Sequence, residues 1–381
     1  MAQNNVLKGD FGGAFKRPFS DDAEHSWSLP SRYYTDPAVW EAEKEKIFYR
    51  SWIYVCHESQ IAKPGDYTTT KIIDQNVAVV RGRDGALRAF YNVCQHRAHE
   101  LLTGQGNLKA VITCPYHAWA YDLEGKLRTA RNCEKVKGFD KADFTLKQVR
   151  IETMLGLVFV NLDPDAVPLV DQAPELEADI RASVPHWDEI VFTNTYDFGG
   201  RPIEAGWKVV VDNYVECYHC ATAHPAFADM IEMPAYEHTT QGITARQLGP
   251  KIHADNSAYK LTEEDRTKQA FFWYLWPTTT INVLPGRGDV MVTSVVPQGP
   301  GRTAFRNDRF AVGGEPEITE RHDYLQNILG VEDMDLCESV QRGLVSKGYD
   351  QGRFMVDEAR TGEGEHVVHF FHKLVFDALN G

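Results

Sequence analysis

The sequence predicts an α+β protein of two domains: an all-β one, then a larger one in which helices and strands come in blocks. Three observations carry this. The 381 residues suffice for two domains, each with a sizeable core. Over residues 52–162, short apolar runs alternate with glycine and aspartate turns, as in a set of short strands. Beyond residue 190, strand-like and helix-like stretches fall in groups rather than in strict alternation.

Residues 1–30 are polar and irregular. Asp36 is an N-cap for a helix over 37–48, with Pro37 at its first position and acidic residues in its first turns. In the β domain, the run 77–80 ends at the turn Gly82-Arg83-Asp84-Gly85. Stretches 87–93, 103–107 and 110–113, the turn at 122–125 and the run 155–161 follow. Residues 163–185 are acidic and proline-containing, a linker and then a short helix. Strands are predicted over 191–197, 271–276, 279–284 and 290–297, and helices over 207–218, 321–329 and 334–346. The boundaries read 1–45 for an N-terminal segment packing on the larger domain, 46–160 for the β domain and 161–381 for the larger domain.

Lysine and arginine number 40 against 54 aspartates and glutamates, a formal charge of −14. Nucleic acid is excluded as the main partner, because phosphate binding needs a basic face. At 43 % hydrophobic and 25 % charged, the chain matches globular averages, which excludes general disorder. No apolar run approaches the roughly 20 residues that span a bilayer. Residues 1–17 lack the features of an export signal, so a cytoplasmic protein without membrane contact is expected. The odd count of 7 cysteines fits a reducing compartment, where cysteines bind metals more often than they pair.

Two clusters carry chemistry. Cys94-Gln95-His96 and Cys114-Pro115-Tyr116-His117 each place a thiolate and an imidazole in a tight loop. Two sulfur and two nitrogen ligands suit either zinc or a 2Fe-2S cluster. The order Cys–His, then Cys–His, favours a Rieske cluster, in which two histidines bind one iron and two cysteines the other. Zinc fingers group their cysteines first. His99 reads as a loop histidine outside the set.

The second cluster is Asp212, Asn213, Glu216, Cys217, His219, Cys220 and His224, followed by Pro225. His219 and His224 can share one metal if the helix breaks between them, and Pro225 marks an end there. With one carboxylate they make the facial triad of non-haem iron(II), leaving positions open for dioxygen. Alternatively, Cys217 and Cys220 join one histidine at a zinc site, or they are small core residues. Glu332, Asp333, Asp335 and Glu338 are the candidate carboxylates, and position alone does not choose among them. An acidic helix start would be favoured by the dipole in any case. The run Phe271, Phe272, Trp273, Tyr274 and Trp276 offers either a cation–π cage or strand core.

A Rieske pair in the first half and His-x4-His in the second resembles the arrangement of Rieske non-haem iron oxygenase α-subunits, over roughly residues 35–375. Cys94-Gln-His96-Arg, Cys114-Pro-Tyr-His117-Ala-Trp, Asp212-Asn-Tyr-Val-Glu216-Cys-Tyr-His219 and His224-Pro fall in the family's order. Within the family the chain looks most like the quaternary-ammonium branch, which acts on carnitine, γ-butyrobetaine, glycine betaine and stachydrine. Ala89-Phe-Tyr-Asn-Val-Cys94, Ala130-Arg-Asn-Cys133, Glu338-Ser-Val-Gln-Arg-Gly-Leu344 and Gly352-Arg-Phe-Met355 carry that likeness. Gln95 and Ala98 depart from the proline and glycine usual around the first pair, and stretches 230–260 and 299–320 match less well.

The resemblance implies a Rieske domain followed by a catalytic domain of helix-grip fold with an antiparallel sheet. It implies Cys94, His96, Cys114 and His117 as cluster ligands, and Asp333 as the third iron ligand beside His219 and His224. Glu216 would be the acid linking a cluster histidine of one subunit to an iron histidine of the next, with Asp212 and Asn213 among the catalytic residues. A homotrimer is implied. The implied activity is that of an oxygenase component, a monooxygenase that uses O2 to hydroxylate a carbon next to nitrogen in a quaternary or N-methyl ammonium compound. The carbinolamine then collapses, giving N-demethylation or C–N cleavage. The alternative substrate is an aromatic acid. The non-enzyme alternative is an electron carrier or zinc-binding module, against which the length speaks. No G-x-G-x-x-G opens a helix after a strand, and the other cysteines do not fit a plant-type ferredoxin spacing. NAD(P)H is therefore expected to act only through a separate flavin/iron–sulfur reductase.

Overall fold

The computed structural model describes residues 6–7, 14–197, 200–314 and 320–381. They divide into two compact units: Phe48–Leu169, and the residues up to Ile47 together with Val170–Gly381. The irregular segment 1–30 and the weakly matching stretch 299–320 lie partly outside the described residues.

The smaller unit is built of short strands. Seven form one antiparallel sheet, in the order Ile53–His57, Leu157–Asn161, Gln148–Met154, Leu87–Tyr91, Gln75–Arg81, Asp66–Ile72 and Gln105–Asn107. A second sheet of three holds Val111–Thr113, Ala120–Asp122 and Leu127–Thr129. The turn after Gln75–Arg81 closes with Gly85 at φ +80°, a conformation costly for any residue with a Cβ. Val80, Phe90, Ile112, Trp119, Tyr121 and Leu146 form the core on which two cysteine-bearing loops rest.

The larger unit is a seven-stranded antiparallel sheet with helices. Its order is Ile190–Tyr196, Arg302–Val312, Val290–Gly299, Thr279–Val283, Ala270–Leu275, Thr244–Gly249 and Glu237–Gln241. Helix Trp207–Tyr214 packs on strand Val290–Gly299 and on helix Gly330–Leu344, and helix His366–Asn380 packs on strand Glu237–Gln241. Among the described residues, no helix is long and apolar enough to cross a membrane.

Asp36 caps its helix as expected, its carboxylate accepting from the Ala38 N–H at 2.8 Å. The helix runs Pro37–Glu43 and continues as a π-turn, Lys44–Phe48. It buries Glu43, 1 % exposed, whose carboxylate meets the ammonium of Lys208 and accepts from Trp207 Nε1 at 2.9 Å.

The structure differs from the sequence reading in four places. The helix expected over 207–218 stops at Tyr214, because Glu216 turns back to accept the N–H groups of Tyr218 and His219. The helices expected over 321–329 and 334–346 are one run, Glu320–Tyr324, a π-turn at Leu325–Leu329 and Gly330–Leu344. Strands Glu237–Gln241, Thr244–Gly249 and Arg302–Val312 and helix His366–Asn380 were not foreseen. Cys217 and Cys220 form a disulfide, where the sequence suggested unpaired cysteines. The turn that ends the preceding helix brings their Cα atoms to 4.9 Å, and the zinc site built on these thiols is thereby overturned.

Candidate functional site

The first cluster lies in the smaller unit, on two loops with one hydrogen-bond plan. The Cys94 N–H donates to the His99 carbonyl (2.8 Å) and the Ala98 N–H to the Cys94 carbonyl (3.0 Å). Likewise, the Cys114 N–H donates to the Trp119 carbonyl (2.8 Å) and the Ala118 N–H to the Cys114 carbonyl (3.0 Å). Each loop reverses at an alanine with left-handed backbone, φ +56° at Ala98 and +57° at Ala118. The reversals bring His96 and His117 together, their ring centroids 4.7 Å apart, while His96 stacks flat on Trp119.

Cys94 and Cys114 are buried beneath the rings, and Cys94 Sγ lies 3.3 Å from the Tyr121 hydroxyl. Burial pushes the Cys94 thiol up, against the Tyr121 hydrogen bond, in the absence of a metal. His117 Nδ1 is buried and has no hydrogen-bond partner among the described residues. A buried imidazole nitrogen without a partner, beside a second imidazole and above two buried thiols, fits a 2Fe-2S centre with two histidine and two cysteine ligands.

Ala98 sits where the backbone favours glycine, at a cost of about 1 kcal/mol. Ala98→Gly is expected to stabilise this unit by about 0.5–1 kcal/mol. The check is the temperature at which the cluster's visible absorbance is lost; an unchanged or lower midpoint would show that the loop is not strained.

The second cluster lies in the larger unit. Helix Trp207–Tyr214 ends, Glu216 caps the next turn, and the short helix Cys220–Ala223 separates His219 from His224. On an unbroken helix, positions five apart would point away from each other. The break lets His219 Nε2 and His224 Nε2 approach to 3.2 Å. Asp333, from helix Gly330–Leu344, places Oδ1 at 2.9 Å from His224 Nε2 and 3.6 Å from His219 Nε2. Among the described residues, these three form the one group whose ligand atoms lie close enough together to hold a metal ion.

Each imidazole is oriented from behind. His219 Nδ1 meets the Glu216 carboxylate, and His224 Nδ1 lies 2.7 Å from Glu332 Oε2. A carboxylate only accepts, so both Nδ1 atoms carry the proton and both Nε2 atoms aim lone pairs at the same space. Two lone pairs and a carboxylate oxygen at such spacings repel unless a positive charge, a metal ion or in its place a proton, lies between them. Ligand atoms about 3 Å apart are what adjacent positions on an octahedral ion require. Burial works against a charged His219, but Asp333 and Glu216 outweigh it and lift its pKa to about 10. A metal entering this site therefore displaces a proton.

The carboxylates left open by position are now distinguished by geometry. Asp333 joins the histidines and Glu332 holds His224 from behind, whereas Asp335 is exposed and Glu338 pairs with Arg201 at 2.5 Å. Asn213 reaches the site, its Nδ2 lying 3.4 Å from His219 Nε2. Asp212 takes the far side of the helix, where it accepts from the Tyr34 hydroxyl (2.6 Å) and meets His372 Nε2 (3.0 Å). Asp212 does not line the cavity in front of the histidines.

That cavity has largely apolar walls, including Val210, Phe227, Phe272, Leu284 and Met334. Its polar groups include Tyr214, whose hydroxyl donates to Asn282 Oδ1 at 2.7 Å, and Gln247, whose Nε2 donates to the Tyr214 carbonyl at 2.7 Å. Of the aromatic run, only Phe272 lines it. Trp273 is 1 % exposed, stacks on Phe271 and donates from Nε1 to Asp179, so it belongs to the core. Asn282 and Gln247 carried no signal in the sequence, since each converges on the cavity only through the sheet, and Tyr214, at the end of helix Trp207–Tyr214, was not singled out within its motif.

Both clusters lie within stretches that match known protein families. Residues 51–140 match the family model of the Rieske [2Fe-2S] domain, and residues 181–381 that of the ring hydroxylating alpha subunit (catalytic domain). The chain is 41 % identical over 362 residues to the carnitine monooxygenase oxygenase subunit of Escherichia coli (strain K12), covering 94 % of this chain and 95 % of that protein. It is 29 % identical over 364 residues to the chloroplastic choline monooxygenase of Spinacia oleracea, covering 92 % of this chain and 77 % of that one. The quaternary ammonium Rieske monooxygenase CntA, solved with its substrate L-carnitine, superposes with a TM-score of 0.84 at 38 % identity, over 94 % of this chain and 97 % of that one. The chain belongs to the Rieske oxygenase α-subunits, iron-dependent monooxygenases that join a Rieske 2Fe-2S domain to a mononuclear-iron catalytic domain.

Proposed function

We propose that this chain is the oxygenase component of a two-component monooxygenase that hydroxylates a carbon next to nitrogen in a trimethylammonium compound. The observation that carries the reading is the pair of Nε2 lone pairs and the Asp333 oxygen converging at one end of an apolar cavity. The kinship to carnitine and choline monooxygenases supports a quaternary ammonium substrate.

In this reading Cys94, His96, Cys114 and His117 hold the 2Fe-2S cluster, and His219, His224 and Asp333 hold iron(II). When bound, the iron supplies the activation of O2 next to the substrate. Glu216 and Glu332 keep a proton on each Nδ1, so that both histidines present Nε2. The apolar walls exclude water and leave the ammonium head few polar competitors. Asp333 and Glu216 make the metal end negative, which favours a cation there. Hydroxylation at a carbon on nitrogen gives a carbinolamine, which collapses to an amine and an aldehyde without a further enzyme group.

Electrons come from a separate NAD(P)H-dependent reductase with flavin and iron–sulfur centres. They enter at the exposed His96 side of the cluster. In a homotrimer, Glu216 would join a cluster histidine of one copy to His219 of the next. The test supplies a surrogate reductase and NADH, offers carnitine, γ-butyrobetaine, glycine betaine, stachydrine, choline and benzoates, and follows O2 uptake with amine and aldehyde release. Turnover of a trimethylammonium compound coupled to O2 supports the reading. Coupled turnover of benzoates alone would replace it, and oxidation of substrate by the isolated chain with NADH would remove the reductase.

A further inference from the structure

Cys217 and Cys220 stand on either side of His219, and both line the cavity in front of the histidines. Their bridge closes a short ring of chain with His219 inside it. The same turn is also held from within. The Cys220 N–H donates to the Cys217 carbonyl at 3.2 Å, and Glu216 accepts the N–H groups of Tyr218 and His219. These bonds do not need the bridge, so they keep the two sulfurs adjacent when it is open.

Burial decides what can reach the pair. Cys217 and Cys220 are 3 % and 5 % exposed, so another protein cannot touch the sulfurs, whereas a molecule small enough for the cavity can. A monooxygenase uses its O2 in that same cavity. When O2 takes two electrons and two protons without oxidising a substrate, it leaves as hydrogen peroxide. Cys217, Cys220 and Cys337 are the thiols that line this space. Cys337 is unpaired, so Cys217 and Cys220 are the two that close on each other.

We infer that Cys217 and Cys220 are a reversible modification site for hydrogen peroxide, and that their bridge sets how firmly the chain holds its iron. The inference rests on the iron site proposed above. One thiol displaces water from hydrogen peroxide and becomes a sulfenic acid, and the second thiol displaces another water and forms the S–S bond. The sulfurs lose two electrons, the peroxide gains them, and both thiol protons leave in the two waters. Two molecules of a small thiol reverse the step, opening the bridge to two thiols and leaving as their own disulfide. Closed, the ring fixes the turn that aims His219 Nε2 toward His224 and Asp333. Open, the turn has to be ordered as the metal binds, which weakens the hold.

The test takes the holoenzyme through dithiothreitol and then hydrogen peroxide. Each state is unfolded, alkylated with iodoacetamide and mapped by mass spectrometry, and in parallel the release of iron to a chelator is timed. Cys217 and Cys220 are expected to be labelled after dithiothreitol and protected after peroxide, their peptide lighter by two hydrogens and without added oxygen. Mononuclear iron should leave about 10-fold faster from the open form, the effect expected of opening a short closed loop. Cys217→Ala with Cys220→Ala should release iron at the open-form rate under both treatments. Labelling that peroxide does not change, or oxygen added at either cysteine without a bridge, overturns the pair. Equal release from the two forms of wild type overturns its hold on the iron, and this comparison still decides should the double variant lose its fold. A chain without mononuclear iron in either form overturns the proposed iron site and this inference with it. No readout uses a substrate, so failure to oxidise any trimethylammonium compound overturns the proposed function and leaves the pair standing.

Discussion

His219→Ala is expected to abolish substrate turnover while leaving the visible spectrum of the cluster intact. The substitution removes one of the converging nitrogen donors and leaves His224 Nε2 and Asp333 as an incomplete set. It also leaves Glu216 without the imidazole it orients. Cys94, His96, Cys114 and His117, the proposed cluster ligands, belong to the other compact unit, so the cluster's absorbance reports separately from the iron. The measurement is metal content, visible spectrum and O2-coupled product formation on one preparation. Turnover should drop below detection and mononuclear iron should be lost, with the cluster bands unchanged. Retained turnover would remove the second site from the mechanism.

The largest effect on stability is expected from Glu43→Ala. Glu43 and Lys208 are buried, 1 % and 5 % exposed, and the same carboxylate accepts from Trp207 Nε1. Removing the acid strands a buried ammonium, which costs about 3–5 kcal/mol. Lys208 and Trp207 open the helix Trp207–Tyr214, which leads to Glu216 and His219, so iron affinity should fall with stability. Replacing both partners, as in Glu43→Leu with Lys208→Met, removes the unpaired charge and is expected to recover most of the loss. Thermal melts of the single and double variants check this. A loss below about 1 kcal/mol in Glu43→Ala would mean that water or a neighbouring group solvates Lys208.

What could be read in the sequence follows from how local each feature is. The cluster loops were legible because each Cys–His pair lies within a few residues, and the loop plan is set by hydrogen bonds inside the loop. His219 and His224 were legible for the same reason, whereas Asp333 comes from a distant helix, and its spacing does not separate it from Glu332 one position earlier: the family resemblance singles it out, and the fold shows why. Strand Arg302–Val312 escaped notice because Asn307 and Asp308, wholly buried, interrupt any apolar alternation. Asn307 is satisfied by Thr293 and Asp308 by Thr195, partners that exist only once the sheet has formed. Helix His366–Asn380 carries an apolar stripe at Val368, Phe371, Val375, Phe376 and Leu379, but the inward-turned His366, His369 and His372 put polar side chains beside it and blur the pattern. The pairing of Cys217 with Cys220 depends on a turn that a helical reading of 207–218 hid.

The three carboxylates gathered around the two histidines carry a consequence for molecules still in solution. Glu216, Glu332 and Asp333 against a divalent ion leave one net negative charge at that end of the cavity. A unit charge about 5 Å away feels this as about 3 kcal/mol, attractive for an ammonium and repulsive for a carboxylate. The low-dielectric walls of the cavity keep water from damping that field. A cation near that end is drawn in before it touches a side chain, and a free carboxylate is held off.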